Sequence, residues 1–297
     1  MRKVFLLLTF IVVILAICLP AGVAEAATHT TGVANTFLLV IIGIFVGAVG
    51  TLIGAGGGFL VVPVLIIFYG FSPQFAVGTS MAVVFFNAVS GTFSYMAQSK
   101  VDYELGVKFA VAAVPGVFIG AFATQAANVT FFSGLFACLM LTMAYLLIFV
   151  RDLQLVTSAA GSSSARIIRD SYGAEHVYTT DLSIGTGGSF LVGIISGLFG
   201  IGGGIIHVPL MSFIGMPMHI ATATSHFIIT ITSFIGMLIF LGLKTVEIDF
   251  AIPLGIGAII GAYAGANLAL ITGAEAIKKL IAVLLLLGAA RLLAGVL

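Results

Sequence analysis

Apolar residues fill this chain in long runs, at 4–19, 37–53, 76–97, 105–125 and 131–150, separated by short polar turns. Runs near 20 residues predict helices that cross a membrane. One long polar interval, 151–181, divides the pattern, and apolar runs then resume from 187 onward. Two runs are too short to cross, at 59–69 and 205–214. Each follows a glycine cluster, Gly54-Ala55-Gly56-Gly57-Gly58 in the first case and Gly200-Ile201-Gly202-Gly203-Gly204 in the second.

Both clusters read G-x-G-G-G-x-x-x-x-P, ending at Pro63 and Pro209, and they lie 146 positions apart. Successive glycines disfavour a helix by about 1 kcal/mol each relative to Ala. Each proline removes an N–H and favours a kink. The expected result is two helical arms joined by bare glycine backbone. In a membrane, such backbone is tolerated where it is buried in protein or lines a wet cavity. Interrupted segments at matching places in two halves point to a transporter binding site.

Other features repeat at nearly the same spacing. Ala76-Val77-Gly78-Thr79-Ser80 returns as Ala221-Thr222-Ala223-Thr224-Ser225, and Val101-Asp102-Tyr103-Glu104 as Val246-Glu247-Ile248-Asp249. Gly116 and Gly120 form a small-xxx-small face for close helix packing, and Gly261 and Gly265 match them. The expected fold class is all-α and polytopic, with two homologous halves in inverted topology. Each half holds a Gly-broken or re-entrant segment plus about three full spans. The halves run over 36–150 and 185–297, and 151–184 is an exposed polar linker without a core of its own.

Composition removes the soluble alternative. The chain is 61% hydrophobic and 7% charged, where a soluble domain carries about 25% charged residues. A net charge of +1 gives no reason to expect nucleic acid. Cys18 and Cys138 both lie in apolar runs and build no disulfide framework or metal set. No cofactor is expected.

Residues 1–27 carry Arg2-Lys3, an apolar run and Ala24-Glu25-Ala26, the pattern of a secretory leader or of an uncleaved first span. Either way Arg2 and Lys3 stay cytoplasmic, and Arg151, Arg166 and Arg169 place the linker there too. Counting spans between these anchors makes the first broken segment return to the face it left. The halves are then inverted, whereas a single crossing would make them parallel.

No Asp or Glu falls near the middle of an expected span, which argues against carboxylate proton relays. Backbone N–H groups, hydroxyls, amides and histidines remain. A helix N-terminus offers unpaired N–H groups and about half a positive charge, which suits an anion. Gly56, Gly57 and Gly58, and Gly202, Gly203 and Gly204, expose the N-termini of the short arms. Thr79, Ser80, Thr224 and Ser225 are expected in the first turns of spans that start near 76 and 221. Asn87 lines the cavity or bonds a neighbouring helix. His207 and His226 bind an anion as imidazolium or carry a proton, or else are neutral core residues. The plainer alternative is that the glycines serve close packing and the hydroxyls bond the preceding turn.

The doubled G-x-G-G-G-x-x-x-x-P, the A-x-x-T-S and A-x-A-T-S elements after it, and the polar linker between halves resemble the TauE/SafE sulfite exporter family over about 36–296. The resemblance implies a multi-pass cell-membrane transporter of sulfite, organosulfonates or related small sulfur anions. The leader-like start and the long linker depart from that pattern. The expected partners are the lipid bilayer and a small anion. A coupling proton or ion, and a homo-oligomer, are both compatible with the layout. Two other functions compete. One is an anion channel. The other is an intramembrane serine hydrolase built on Ser196 in Gly193-Ile194-Ile195-Ser196-Gly197, with His207 or His226 as base. The first half has no matching serine, so a non-enzyme is expected.

Overall fold

The computed structural model describes residues 33–149, 166–171, 173–271 and 274–294. The leader-like residues 1–27 and the serine-rich part of the linker lie outside the described residues. The described residues form ten helices and one hairpin. The first half holds α1 (Val33–Ile53), α2 (Gly58–Tyr69), α3 (Pro73–Ala97), α4 (Tyr103–Gln125) and α5 (Val129–Phe149). Strands β1 (Arg166–Arg169) and β2 (Glu175–Tyr178) follow. The second half holds α6 (Leu182–Phe199), α7 (Gly204–Phe213), α8 (Met218–Gly242), α9 (Ile248–Ile271) and α10 (Ala274–Ala294). Seven of the helices are long and apolar enough to cross a membrane, whereas α2 and α7 are short. The outer surface is apolar: Phe37, Phe93, Phe131 and Tyr263 are each at least 64% exposed. Such a surface suits lipid and not water.

Backbone conformation explains the breaks. Gly57 and Gly203 stand immediately before α2 and α7 at φ 81° and 85°. Glycine reaches that left-handed region at little cost because it has no Cβ. Pro63 and Pro209 fall inside the two short helices without ending them. Pro73 opens α3 and Pro217 directly precedes α8, since a fixed φ suits a first turn. This corrects one expectation. Thr79-Ser80 and Thr224-Ser225 fall in second turns, where backbone N–H groups are already bonded within the helix. The N-termini of α3 and α8 therefore do not join the short arms at the centre.

Helix directions follow from close approaches at small residues. Gly43 and Gly47 of α1 press on Leu254 and Ala258 of α9, so these two helices run parallel. Gly116 and Gly120 of α4 press on Phe190 and Ile194 of α6, which also run parallel. Between these pairs, α3 and α8 run antiparallel, with Gly91 against His226 and Gly236 against Met81.

Each broken segment returns to the end it left. Tyr69, the last residue of α2, and Phe71 just after it pack on Phe250 at the start of α9, beside the start of α1. Gly215, after α7, meets the Thr179 carbonyl just before α6. The two segments enter from opposite ends, because α3 starts beside Phe71 and finishes at the linker end. There Gln98 accepts a backbone bond from Ser171, and Tyr95 and Val101 pack on Ala223.

The described part of the linker is ordered by contact with α4. Asp102 caps α4 by accepting from the Leu105 N–H at 3.0 Å. Its carboxylate also accepts from Arg166 Nε at 2.7 Å and from the Tyr178 hydroxyl at 2.7 Å. Arg166 and Tyr178 face each other across the hairpin. A hydrogen bond to Glu104, and then one to Asp102, keep the Arg166 guanidinium more firmly protonated than usual. Burial, helped by the bond to Asp102, pushes the Tyr178 phenol up.

Candidate functional site

The two glycine turns meet at the middle of the bundle. A methyl on Gly58 would strike the Gly200 carbonyl, and one on Gly204 would strike the Gly54 carbonyl. Gly56 and Gly202 both rest on Val84 of α3 and Ile229 of α8. The first N–H groups of α2 and α7 have no partner within their own helices. Both positive helix ends are thus brought side by side.

The four flanking hydroxyls are fully buried and engaged. Ser80 Oγ donates to the Gly200 carbonyl at 2.8 Å, and Ser225 Oγ donates to the Gly54 carbonyl at 2.9 Å. Thr79 Oγ1 accepts from the Glu247 N–H and Thr224 Oγ1 from the Asp102 N–H, both at 3.0 Å. Each serine ties its helix to the turn of the opposite half.

Beside these braces lies a second polar group. Thr51 Oγ1 donates to Asn87 Oδ1 at 2.8 Å, and the Tyr95 hydroxyl donates to the Thr51 carbonyl at 2.8 Å. His226 turns Nδ1 toward the Thr222 carbonyl at 3.4 Å and meets Tyr95 edge-on at 5.3 Å. Gly91 makes room: a methyl there would stand 2.9 Å from His226 Nε2 and 3.1 Å from Thr51 Cγ2. Asn87 Nδ2 and His226 Nε2 are buried without hydrogen-bond partners. A buried polar atom in that state is costly, on the order of 1–3 kcal/mol. Val84, which touches Gly58 at the start of α2, precedes Asn87 by one turn on the same helix.

Thr51, Gly91 and Tyr95 escaped the sequence reading. A usable signal existed, since Asn87, Gly91 and Tyr95 are spaced four apart on one helix face. His207 stands elsewhere, beside Gly203 and facing α6, with both ring nitrogens unpartnered. Ser196 Oγ is unpartnered too, so the serine–histidine bond that a hydrolase needs is not formed.

Residues 38–292 match the family model described as Sulfite exporter TauE/SafE. The chain belongs to the TauE/SafE sulfite exporter family. It is 35% identical to the Probable membrane transporter protein YunE of Bacillus subtilis (strain 168), over 77% of this chain and 86% of that one. It is 29% identical to the Probable membrane transporter protein MJ0441 of Methanocaldococcus jannaschii, over 70% of this chain and 73% of that one. No solved structure matches. Among the described residues, this TauE/SafE membrane transporter packs its glycine turns on Val84 and Ile229, with Asn87 one turn farther along α3 and His226 beside Gly91.

Proposed function

We propose that this TauE/SafE transporter is a carrier for a small sulfur-containing oxyanion such as sulfite or an organosulfonate. We further propose that its two halves are an inverted repeat. The anion sits against the N-termini of α2 and α7, with Asn87 Nδ2 donating to it and the His226 ring beside it. One observation carries this reading: the glycine turns pack on each other beside two buried nitrogens that lack partners. The helices that frame the site, α3 and α8, hold no Lys or Arg. Neutral donors and helix ends contribute about 0.5–2 kcal/mol each. Several together give binding roughly in the micromolar-to-millimolar range, weak enough for release. The braced hydroxyls of Thr79, Ser80, Thr224 and Ser225 hold the turns in place.

The test is thermal shift of the purified protein with sulfite, sulfate, thiosulfate, taurine and acetate. Stabilisation by a sulfur oxyanion and not by acetate is expected, and equal indifference to all five overturns the reading. Trans-stimulated flux separates a carrier from a channel, which lacks it.

A further inference from the structure

His207 is 1% exposed, and neither of its ring nitrogens has a hydrogen-bond partner. Two more buried, unpartnered groups lie on α6, the helix packed antiparallel to α7. Ser196 Cβ and His207 Nδ1 both lie within 3.4 Å of the point where a methyl on Gly203 would stand. Farther along, Gly188 of α6 meets Leu210 of α7, so the two helices pack antiparallel. His207 falls between these contacts on α7, as Ser189 to Val192 do on α6. Ser189 Oγ and Ser196 Oγ are both unpartnered. The matching first-half positions are Gly43, Gly50 and Val61, which carry no polar side chain. Only one of the two broken segments has this polar group.

We propose that His207, flanked by Ser189 and Ser196, is a proton-binding site that couples proton uptake to anion binding. The proposal rests on the anion site described above. An imidazolium has two N–H donors, and the two serine oxygens are acceptors along its flanks. His207 is the fourth residue of α7, close to the positive helix end, which opposes a second positive charge. An anion held at that end reverses the opposition, so proton and anion bind together. Linkage makes the effect reciprocal: each raises the affinity for the other by the same factor. The helices packed most closely on α7 are α6 and α8. Neither carries Asp, Glu, Lys or Arg, and the titratable groups on α8 are His219 and His226. His226 is the weaker candidate because its ring is packed against Tyr95.

The experiment is calorimetry of methanesulfonate binding to the full chain in lipid nanodiscs, from pH 5.5 to 8. Pairs of buffers with different ionisation enthalpies report the protons taken up per anion, and the sulfonate itself does not titrate in this range. The wild type is expected to take up close to one proton and to bind about tenfold more tightly at the acid end. His207→Gln should bind the anion with no proton uptake and a flat pH profile. His207→Val, which copies the buried Val61 of the first half, should behave the same way and guards against misfolding of the first variant. His226→Gln should weaken binding and keep the proton count. Unchanged uptake in both His207 variants, or uptake lost in His226→Gln alone, overturns the assignment. Binding without uptake in the wild type also overturns it, and leaves the anion site standing. Failure of sulfite, sulfate and methanesulfonate alike to bind overturns the anion site and this proposal with it.

Discussion

The Ser80 hydroxyl donates to the Gly200 carbonyl at 2.8 Å, across 120 positions of sequence. Ser225 makes the reciprocal bond to Gly54 at 2.9 Å. Each serine satisfies a carbonyl that the end of the preceding helix leaves without an intrahelical donor. Replacing Ser80 or Ser225 with Ala should therefore cost about 1–3 kcal/mol, the penalty for a buried acceptor left unmet. Thermal unfolding in detergent should show a lower Tm for each variant and a lower one still for the pair. A Tm equal to wild type in the double variant would show that the braces carry no stability.

Gly57 and Gly203 should not tolerate a side chain. Both sit at positive φ, which is a genuine outlier for a β-branched residue. A methyl on Gly57 would also stand 2.7 Å from Val46 Cγ1, and one on Gly203 2.9 Å from Val192 Cγ1. The Gly57→Val and Gly203→Val proteins are expected to insert into the membrane and lose uptake. Near-normal uptake in both would mean that these turns need no special conformation.

Asn87→Leu should weaken sulfite binding by about tenfold, the worth of one good hydrogen bond near 1.4 kcal/mol, and His226→Gln should weaken it by reshaping the wall of the site. Each variant removes or displaces one unpartnered nitrogen and leaves both helix N-termini intact. Wild-type affinity in both variants, measured by titration calorimetry, would move the site away from this cluster.

The linker clamp makes a separate prediction about stability. The Asp102 side chain is 3% exposed and that of Arg166 is 20% exposed. Removing the guanidinium leaves a buried carboxylate with fewer donors, a change that costs about 3–5 kcal/mol when a buried pair is broken. Arg166→Ala should lower the Tm markedly, while Tyr178→Phe, which deletes one bond to the same carboxylate, should lower it less. Equal Tm values for Arg166→Ala and wild type would show that the clamp is dispensable.

Ser99 and Lys244 end α3 and α8 in the same unusual conformation, at φ 54° and 58°. Because α3 and α8 are antiparallel, these residues lie at opposite ends of the bundle. Single cysteines placed there should react with an impermeant reagent from opposite sides of the membrane. Labelling of both from one side would sink the inverted arrangement.

Much of this architecture was written in local composition. Twenty-residue apolar runs declare helices that span lipid, and Gly-Gly-Gly before an apolar arm declares a break, because these are costs paid residue by residue. The spacing of Gly116 and Gly120 likewise announces a close helix contact, and both do press on α6. The sequence did not say which polar atoms are spent. Thr79, Ser80, Thr224 and Ser225 look available in one dimension, yet the serines donate to carbonyls 120 and 171 positions away. Nor could it show that Thr51 and Tyr95 join Asn87 and His226, since those contacts arise only where α1, α3 and α8 cross. Helix propensity and hydropathy act along the chain, whereas a hydrogen-bond partner is chosen across it. The tertiary structure alone therefore decided which nitrogens remain unpaired at the centre.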